Sequence, residues 1–299
     1  MRTRMEHAAV IVWIARLLWV VQPLTAGALA ADALAGWSTA PGLVAAIALW
    51  LAWGAGLLAL LAPRPIGLTT LRAIAPVFAA LAIVAMFTSD ESTALRLVAV
   101  VSTVLALVAV LHPAVSVACA NGASYGDERR HPLKVPPVLF LGPLPLAPFV
   151  IGAGLAAGPL LLADGRVAVG LVALLGLVPA ALAARSLHTL AQRFAVLVPA
   201  GIAVIDPFTL PDPVMFPRER ITALRLVDPR TRPRSEALDI RTGATGGSVA
   251  LTLDKVTDSL QVRRARRGAE TVRTDELWFA TVAARDLVRV AGERRIHAG

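Results

Sequence analysis

The chain has 299 residues, of which 57% are hydrophobic and only 16% charged, with a formal net charge of +9. A soluble domain ordinarily carries about 25% charged residues, so the composition excludes a wholly water-soluble protein. A single cysteine, Cys119, excludes an intrachain disulfide, and its apolar flanks suit a quiet buried thiol better than a reactive one.

The charges are unevenly placed. Residues 8–186 hold few, whereas residues 193–299 hold 18 Arg or Lys against 13 Asp or Glu. The expected organisation is therefore a membrane-spanning helical domain over residues 1–186 and a basic soluble domain over residues 187–299. Only two lysines, Lys134 and Lys255, stand against 27 arginines. With so much Ala, Gly, Val and Pro, this reads as the bias of a GC-rich bacterial genome, and the expected location is a bacterial inner membrane.

A spanning helix needs about 20 mostly apolar residues. The first candidate is Ala8–Ala30, preceded by Arg2 and Arg4. A cleaved signal peptide ending at Ala28-Leu29-Ala30 is the competing reading. Arg16 interrupts the apolar core and the run is long, so a retained span is expected. Arg16 itself either snorkels to the headgroups or occupies a buried site, and no Asp or Glu inside another span offers it a partner. Gln22, Pro23 and Thr25 follow, as a polar seam or as groups that satisfy the backbone around the proline.

Further spans are expected at Pro41–Leu61, Arg72–Thr88, Ala94–Ala114, Leu146–Ala163 and Arg166–Ala184, about six in all. Pro143, Pro145 and Pro148 should make the start of the fifth irregular. Five of the six tryptophans, Trp13, Trp19, Trp37, Trp50 and Trp53, lie in or beside the first two spans, where belt and packing roles are expected. Arg64 and Arg72, then Arg129, Arg130 and Lys134, occupy loops on one side. Asp32, Asp90, Glu91 and Asp164 occupy the other. The positive-inside rule then puts both termini in the cytoplasm.

The segment His112–Pro137 reads as a long cytoplasmic loop. It contains the only tyrosine, Tyr125, and the cluster Asp127-Glu128-Arg129-Arg130-His131. An ordinary solvated loop is one reading. A site built from His112, Tyr125, Arg129, Arg130 and His131, with Arg16, is the other. His112 and His131 could in principle bind a metal, but without a CxxC or HxxxH companion the pair is weak evidence for one, and no cofactor is expected. No nucleotide, hydrolase or zinc motif is present.

After Arg185 the pattern turns to short strands. Phe194–Val198 and Ile202–Asp206 are joined at Pro199-Ala200-Gly201. Val214–Phe216 and Ile221–Val227 follow. Ala237–Arg241 and Val249–Leu253 flank a glycine-rich stretch that fits a hairpin. Apolar residues from Asp275 to Ala291 recur at helical spacing. The run FAVLVPAGIAVID, then FPRERITALRLVD, ALDIRT with SVALTL, and DELWFATVAARDLVRV resembles the bacterial pleckstrin-homology-like domains that often follow membrane helices. The resemblance implies a small barrel of strands closed by one C-terminal helix. Asp254–Thr274 is longer than such a domain needs.

Two basic clusters stand out: Arg230, Arg232 and Arg234, and Arg263, Arg264, Arg266 and Arg267. They fit a solvated loop, an anionic lipid surface or nucleic acid. The last is disfavoured because no aromatic residues interleave. The expectation is a non-catalytic membrane protein whose soluble module docks on anionic lipid or on a membrane or cytoplasmic protein. The alternative is a lipid or small-molecule transporter, or a membrane enzyme, using Arg16 and residues 112–137.

The arginine distribution makes a direct prediction. Cysteine probes placed at Ser92 and Gly165 should label from outside intact cells, and one at Ser124 only after permeabilisation. External labelling at Ser124 would invert the orientation.

Overall fold

The computed structural model describes residues 2–264 and 268–296, without the side chains of residues 2–7, 258–261, 263–264 and 268–269. The chain divides into two units. One comprises Met1–Cys119 with Gly142–His188, and the other Ala120–Leu141 with Thr189–Gly299.

The first unit is helical: α1 (Arg2–Val20), α2 (Ala26–Leu34), α3 (Thr39–Leu61), α4 (Pro65–Thr88), α5 (Thr93–Leu111), α6 (Pro113–Asn121), α7 (Pro143–Ala163), α8 (Val167–Ala173) and α9 (Leu177–Ala191). Among the described residues, six segments are long and apolar enough to cross a membrane: Ala8–Leu34, Thr39–Leu61, Pro65–Thr88, Thr93–Leu111, Pro143–Ala163 and Val167–Ala191. This is a multi-pass membrane protein. The first span is broken where Pro23 lacks a backbone N–H, and a 3-10 turn at Gln22–Leu24 joins α1 to α2.

The third span begins at Pro65, not at Arg72 as expected. Proline suits the first helical turn, where its missing N–H costs nothing. Arg72 therefore lies inside a span, eight residues into its helix, and not in the loop before it.

Trp19 organises the packing of α1. It is fully buried, and its Nε1–H donates to the Trp53 carbonyl at 2.9 Å while Trp53 Nε1–H donates back to the Trp19 carbonyl at 2.9 Å. Its ring stacks on Phe78 with centroids 5.6 Å apart. The pocket for that ring exists only because residue 56 is glycine, since a Cβ there would lie 2.1 Å from Trp19 Cζ2. At the far end of the same span, Asp32 accepts hydrogen bonds from Ser89 Oγ (2.6 Å) and the Asp90 amide (2.8 Å).

The second unit holds β1 (Arg129–Pro132), β2 (Phe194–Val198), β3 (Gly201–Ile205), β4 (Val214–Pro217), β5 (Ile221–Val227), β6 (Leu238–Asp239), β7 (Ser248–Arg264), β8 (Gly268–Ala280) and α10 (Ala284–Glu293). One sheet runs β1-β2-β3-β4, all antiparallel. The other runs β5-β7-β8-β6, with β6 parallel to β8. Leu197 and Ile202 of one sheet, Leu224 and Leu251 of the other, and Leu287 of α10 share a single core. The β2–β3 hairpin turns where expected. Gly201 there has φ +150°, and a Cβ on it would meet the Phe216 carbonyl oxygen at 2.1 Å.

Three expectations are corrected. Residues 112–137 are not a loop: they form α6 and β1, and residues 120–141 belong to the β unit. Ala237–Arg241 and Val249–Leu253 are not hairpin partners, because β7 lies between β5 and β8. Residues Asp275–Ala280 are strand, and the helix starts only at Ala284. Leu277, Trp278 and Phe279 are all buried, Leu277 and Phe279 in the shared core and Trp278 against Val227 and Ala250. A short apolar run buried on both faces has no period to separate strand from helix. The long stretch Asp254–Thr274 extends the β7–β8 hairpin, and Val262 within it is buried in the same core.

β1 is fastened to the rest by a buried ion pair. Arg193 donates to both carboxylate oxygens of Asp206 (2.7 and 2.8 Å) and to the Lys134 carbonyl (2.9 Å). The Leu133 amide donates to the Arg193 carbonyl at 3.0 Å. Arg193 and Asp206 are both buried. Replacing one partner of such a pair strands a charge and costs about 3–5 kcal/mol. Arg193→Met should therefore destabilise the β unit by about that much, and Arg193→Met combined with Asp206→Leu should recover much of the loss. Thermal denaturation of the full-length protein in detergent, read as protease sensitivity of the β unit, measures both. Equal losses in the single and double variants would remove the pair from this role.

Candidate functional site

The first arginine cluster lies on the connection from β5 to β6. Arg230 is exposed, and its amide donates to Asp228 Oδ1 at 2.8 Å, which tightens the turn. Arg232 is exposed beside it. Neither makes an ion pair among the described residues. Arg234 differs. It pairs with Glu276 at 3.2 Å and Asp275 at 3.8 Å, and its hydrogen bond to the Glu276 carboxylate raises its proton affinity further. Glu276 is nearly buried and also receives Arg225 at 3.2 Å. Arg234 is thus committed to holding its connection against β8. In the second cluster, Arg263 and Arg264 end β7, opposite Ala269 and Gly268, with side chains outside the described set. Arg266 and Arg267 lie outside the described residues altogether.

The six residues considered for a membrane-side site fall into both units. Arg16 and His112 belong to the helical one. Arg16 Nε–H donates to the Leu60 carbonyl at 3.0 Å, and its guanidinium lies 4.7 Å from the Trp13 ring centre. Leu60 is in the last turn of α3, where carbonyls lack helical partners and a cation is favourable. His112 Nδ1 accepts from the Ala114 amide at 3.1 Å and so caps α6.

Tyr125, Arg129, Arg130 and His131 belong to the β unit. The Tyr125 ring is exposed, and its amide donates to Glu128 at 2.8 Å. Arg130 pairs with the same Glu128 carboxylate at 2.7 Å and lies over Phe194. Asn121 brackets the Arg130 backbone, accepting from its amide (3.0 Å) and donating to its carbonyl (2.8 Å). Arg129 is an exposed strand residue opposite Leu197. These contacts are those of an edge strand being held in register.

No group of three or more His, Cys, Asp or Glu is placed to hold a metal among the described residues. No family model matches this chain, and comparison with curated proteins and with solved structures finds no match either. The residues themselves must carry any functional argument.

Three groups escaped the sequence reading. Arg193 and Asp206 read as ordinary charges beside a strand. Arg241 looks like one more exposed arginine, yet it is buried, paired with Asp239 at 2.7 Å and stacked 4.7 Å from the Trp278 ring. Arg72 looks like a loop residue flanking a span. For Arg72 the available signal was the helix-compatible stretch from Pro65.

His131 gives a pH prediction. It is almost fully buried, and burial pushes its pKa down to about 4. Asp286 opposes that shift, while Arg129, Arg294 and Arg289 reinforce it. In the unfolded chain a histidine titrates near 6.5. Between these values the unfolded state takes up the proton first, so stability is full above about pH 6.5 and falls as pH drops toward 4, by up to about 3 kcal/mol. His131→Gln should flatten the stability of the β unit between pH 6.5 and 5, the range above ordinary carboxylate titration. A variant with the wild-type slope would assign that slope to another group.

Proposed function

We propose that this chain is a membrane-anchored docking protein. Its six spans hold a pleckstrin-homology-like module at the cytoplasmic face of a bacterial inner membrane, and the module engages anionic lipid there. The observation that carries the reading is connectivity. Three chain passages join the β unit to the helical unit, at 119–120, 141–142 and 188–189. Such tethering turns weak contacts into lasting ones, because the local lipid concentration is already high.

Two four-stranded sheets around one core, covered by a C-terminal helix, support the comparison with pleckstrin-homology-like domains. The chain departs from that pattern in drawing β1 from between the fourth and fifth spans, in the parallel β6 and in the long β7–β8 arm. Orientation rests on the basic loops. The β1–β2 pairing bears on span parity and not on the side: residues 129–132 and 194–198 must share a side, and two spans lie between them.

Lipid contact is assigned to Arg230 and Arg232, the exposed members of the first cluster without an ion pair among the described residues, and to the arginines of the second cluster. An arginine near an anionic surface contributes about 1 kcal/mol. Arg230 and Arg232 together would supply about 2 kcal/mol, roughly thirtyfold, less what screening over about 8 Å removes. In nanodiscs containing phosphatidylglycerol, the full-length protein should protect the backbone amides of residues 228–236 from hydrogen exchange. Neutral phosphatidylcholine nanodiscs should not. The protection should weaken in high salt and disappear in the Arg230→Gln, Arg232→Gln variant. Protection that ignores lipid charge would leave a protein as the partner, to be sought by affinity purification in mild detergent.

A further inference from the structure

Arg72 presents a chemical problem that the other buried or half-buried arginines do not. Arg16 has a helix-end carbonyl and a tryptophan face. Arg193 and Arg241 have carboxylates. Arg72 has neither. It projects from α4 about 10 Å along the helix from Pro65, within a span. Its Nη2 donates to Ser116 Oγ on α6 over a long 3.4 Å. Its Nη1 is buried and has no hydrogen-bond partner, and no carboxylate pairs with it among the described residues.

A guanidinium stays protonated in a protein, so Arg72 cannot shed its charge to relieve burial. The nearest titratable neighbour does not supply the missing negative charge. Cys119, one turn along α6 from Ser116, is buried, and burial pushes its thiol up to about 11 although Arg72 pulls the other way. At neutral pH it is a neutral thiol. Thr69, one turn before Arg72 on α4, is buried and hydrogen-bonded to His188 Nδ1 at 3.1 Å. The surroundings thus offer a cation, two hydroxyls, a thiol and an imidazole, with no carboxylate paired to Arg72 among the described residues.

We propose that Arg72 and Ser116 form the core of a binding site for a phosphate-class oxyanion, either the headgroup phosphate of a lipid or free phosphate. Arginine matches such an anion with paired N–H donors, and Nη1 is the donor the chain leaves unused. Ser116 orients the guanidinium and supplies a hydroxyl to a second oxygen. The site is independent of the arginine clusters of the β unit and stands or falls separately from docking.

The test uses full-length protein with Arg230, Arg232, Arg263, Arg264, Arg266 and Arg267 all replaced by Gln as background, so that neither arginine cluster responds. Its thermal midpoint in neutral maltoside is followed while phosphatidylglycerol is titrated into the micelle, or inorganic phosphate into the buffer, at ionic strength matched with chloride. One of the two should raise the midpoint saturably. A response to the lipid alone identifies a headgroup site, and a response to phosphate a free-anion site. Arg72→Gln should weaken the apparent affinity at least tenfold, Arg72→Lys less, and Ser116→Ala about threefold. No response to either anion, or an Arg72→Gln response equal to that of the background, overturns the proposal. If Arg72→Gln fails to fold, Arg72→Lys and Ser116→Ala decide the question: unchanged affinity in both overturns it.

Discussion

The β unit depends on one buried contact, the bidentate pair between Arg193 and Asp206. Arg193 follows α9 by two residues and precedes β2 by one. From there its guanidinium reaches the Lys134 carbonyl just past β1 and the carboxylate just past β3. Asp206 in turn accepts from the Phe208 amide (3.1 Å) and Thr209 Oγ1 (2.7 Å), which sets the loop toward β4. Buried ion pairs add little net stability over well-packed apolar groups. What this one fixes is register. β1 has only four residues, and its burial rises from exposed Arg129 to buried His131 and Pro132. A slip of one residue would turn its side chains to the opposite face and bring Arg130 toward the core. Arg294, beyond α10, adds a second lock by donating to the Leu197 carbonyl at 2.8 Å and to the Asp127 carbonyl.

The spans were legible because a bilayer demands long apolar runs, and those runs are hard to miss. β2, β3, β4 and β5 were legible because their apolar residues are bounded by turn-forming Pro, Gly and Asp. β1 was not. Arg-Arg-His-Pro has no apolar residue, and its burial comes from partners across two later spans. The start of α10 was misplaced because Leu277-Trp278-Phe279 faces apolar neighbours on both sides of a sheet. The candidate residues divide the same way. Arg16 announces itself as a charge in an apolar run, whereas its acceptor is a main-chain carbonyl that any sequence would provide. Arg193 and Arg241 were hidden because sequence counts arginines without showing which are buried, and Arg72 because its helix begins seven residues before it.

Within the helical unit, Arg16 and Arg72 illustrate different solutions to one cost. Arg16 uses what helices always offer, the unpaired carbonyls at a C-terminal end, and covers its face with Trp13. Nothing more is needed to account for its burial. Arg72 lies in mid-helix, where the carbonyl that Pro76 leaves without a helical donor is Arg72's own, and α6 answers with a hydroxyl at long range. The same type of side chain is therefore structural in one place and a candidate ligand-binding group in the other. Local backbone supply decides the difference.

Chain order gives the composite β unit a further property. β1 is made before α7, α8 and α9, and its partner β2 after them. The pairing of Pro132 with Phe194 is a non-local contact that closes a loop containing two membrane spans. Loop closure of this kind is slow compared with forming adjacent hairpins. It also has a topological condition. If either span fails to insert, residues 129–132 and 194–198 end on opposite sides of the membrane and the sheet cannot form. Arg193 would then keep Asp206 but lose the Lys134 carbonyl, and β2 would present an unpaired edge. A correctly closed β unit is thus possible only once the last two spans have crossed, which makes the module's integrity a consequence of completed insertion.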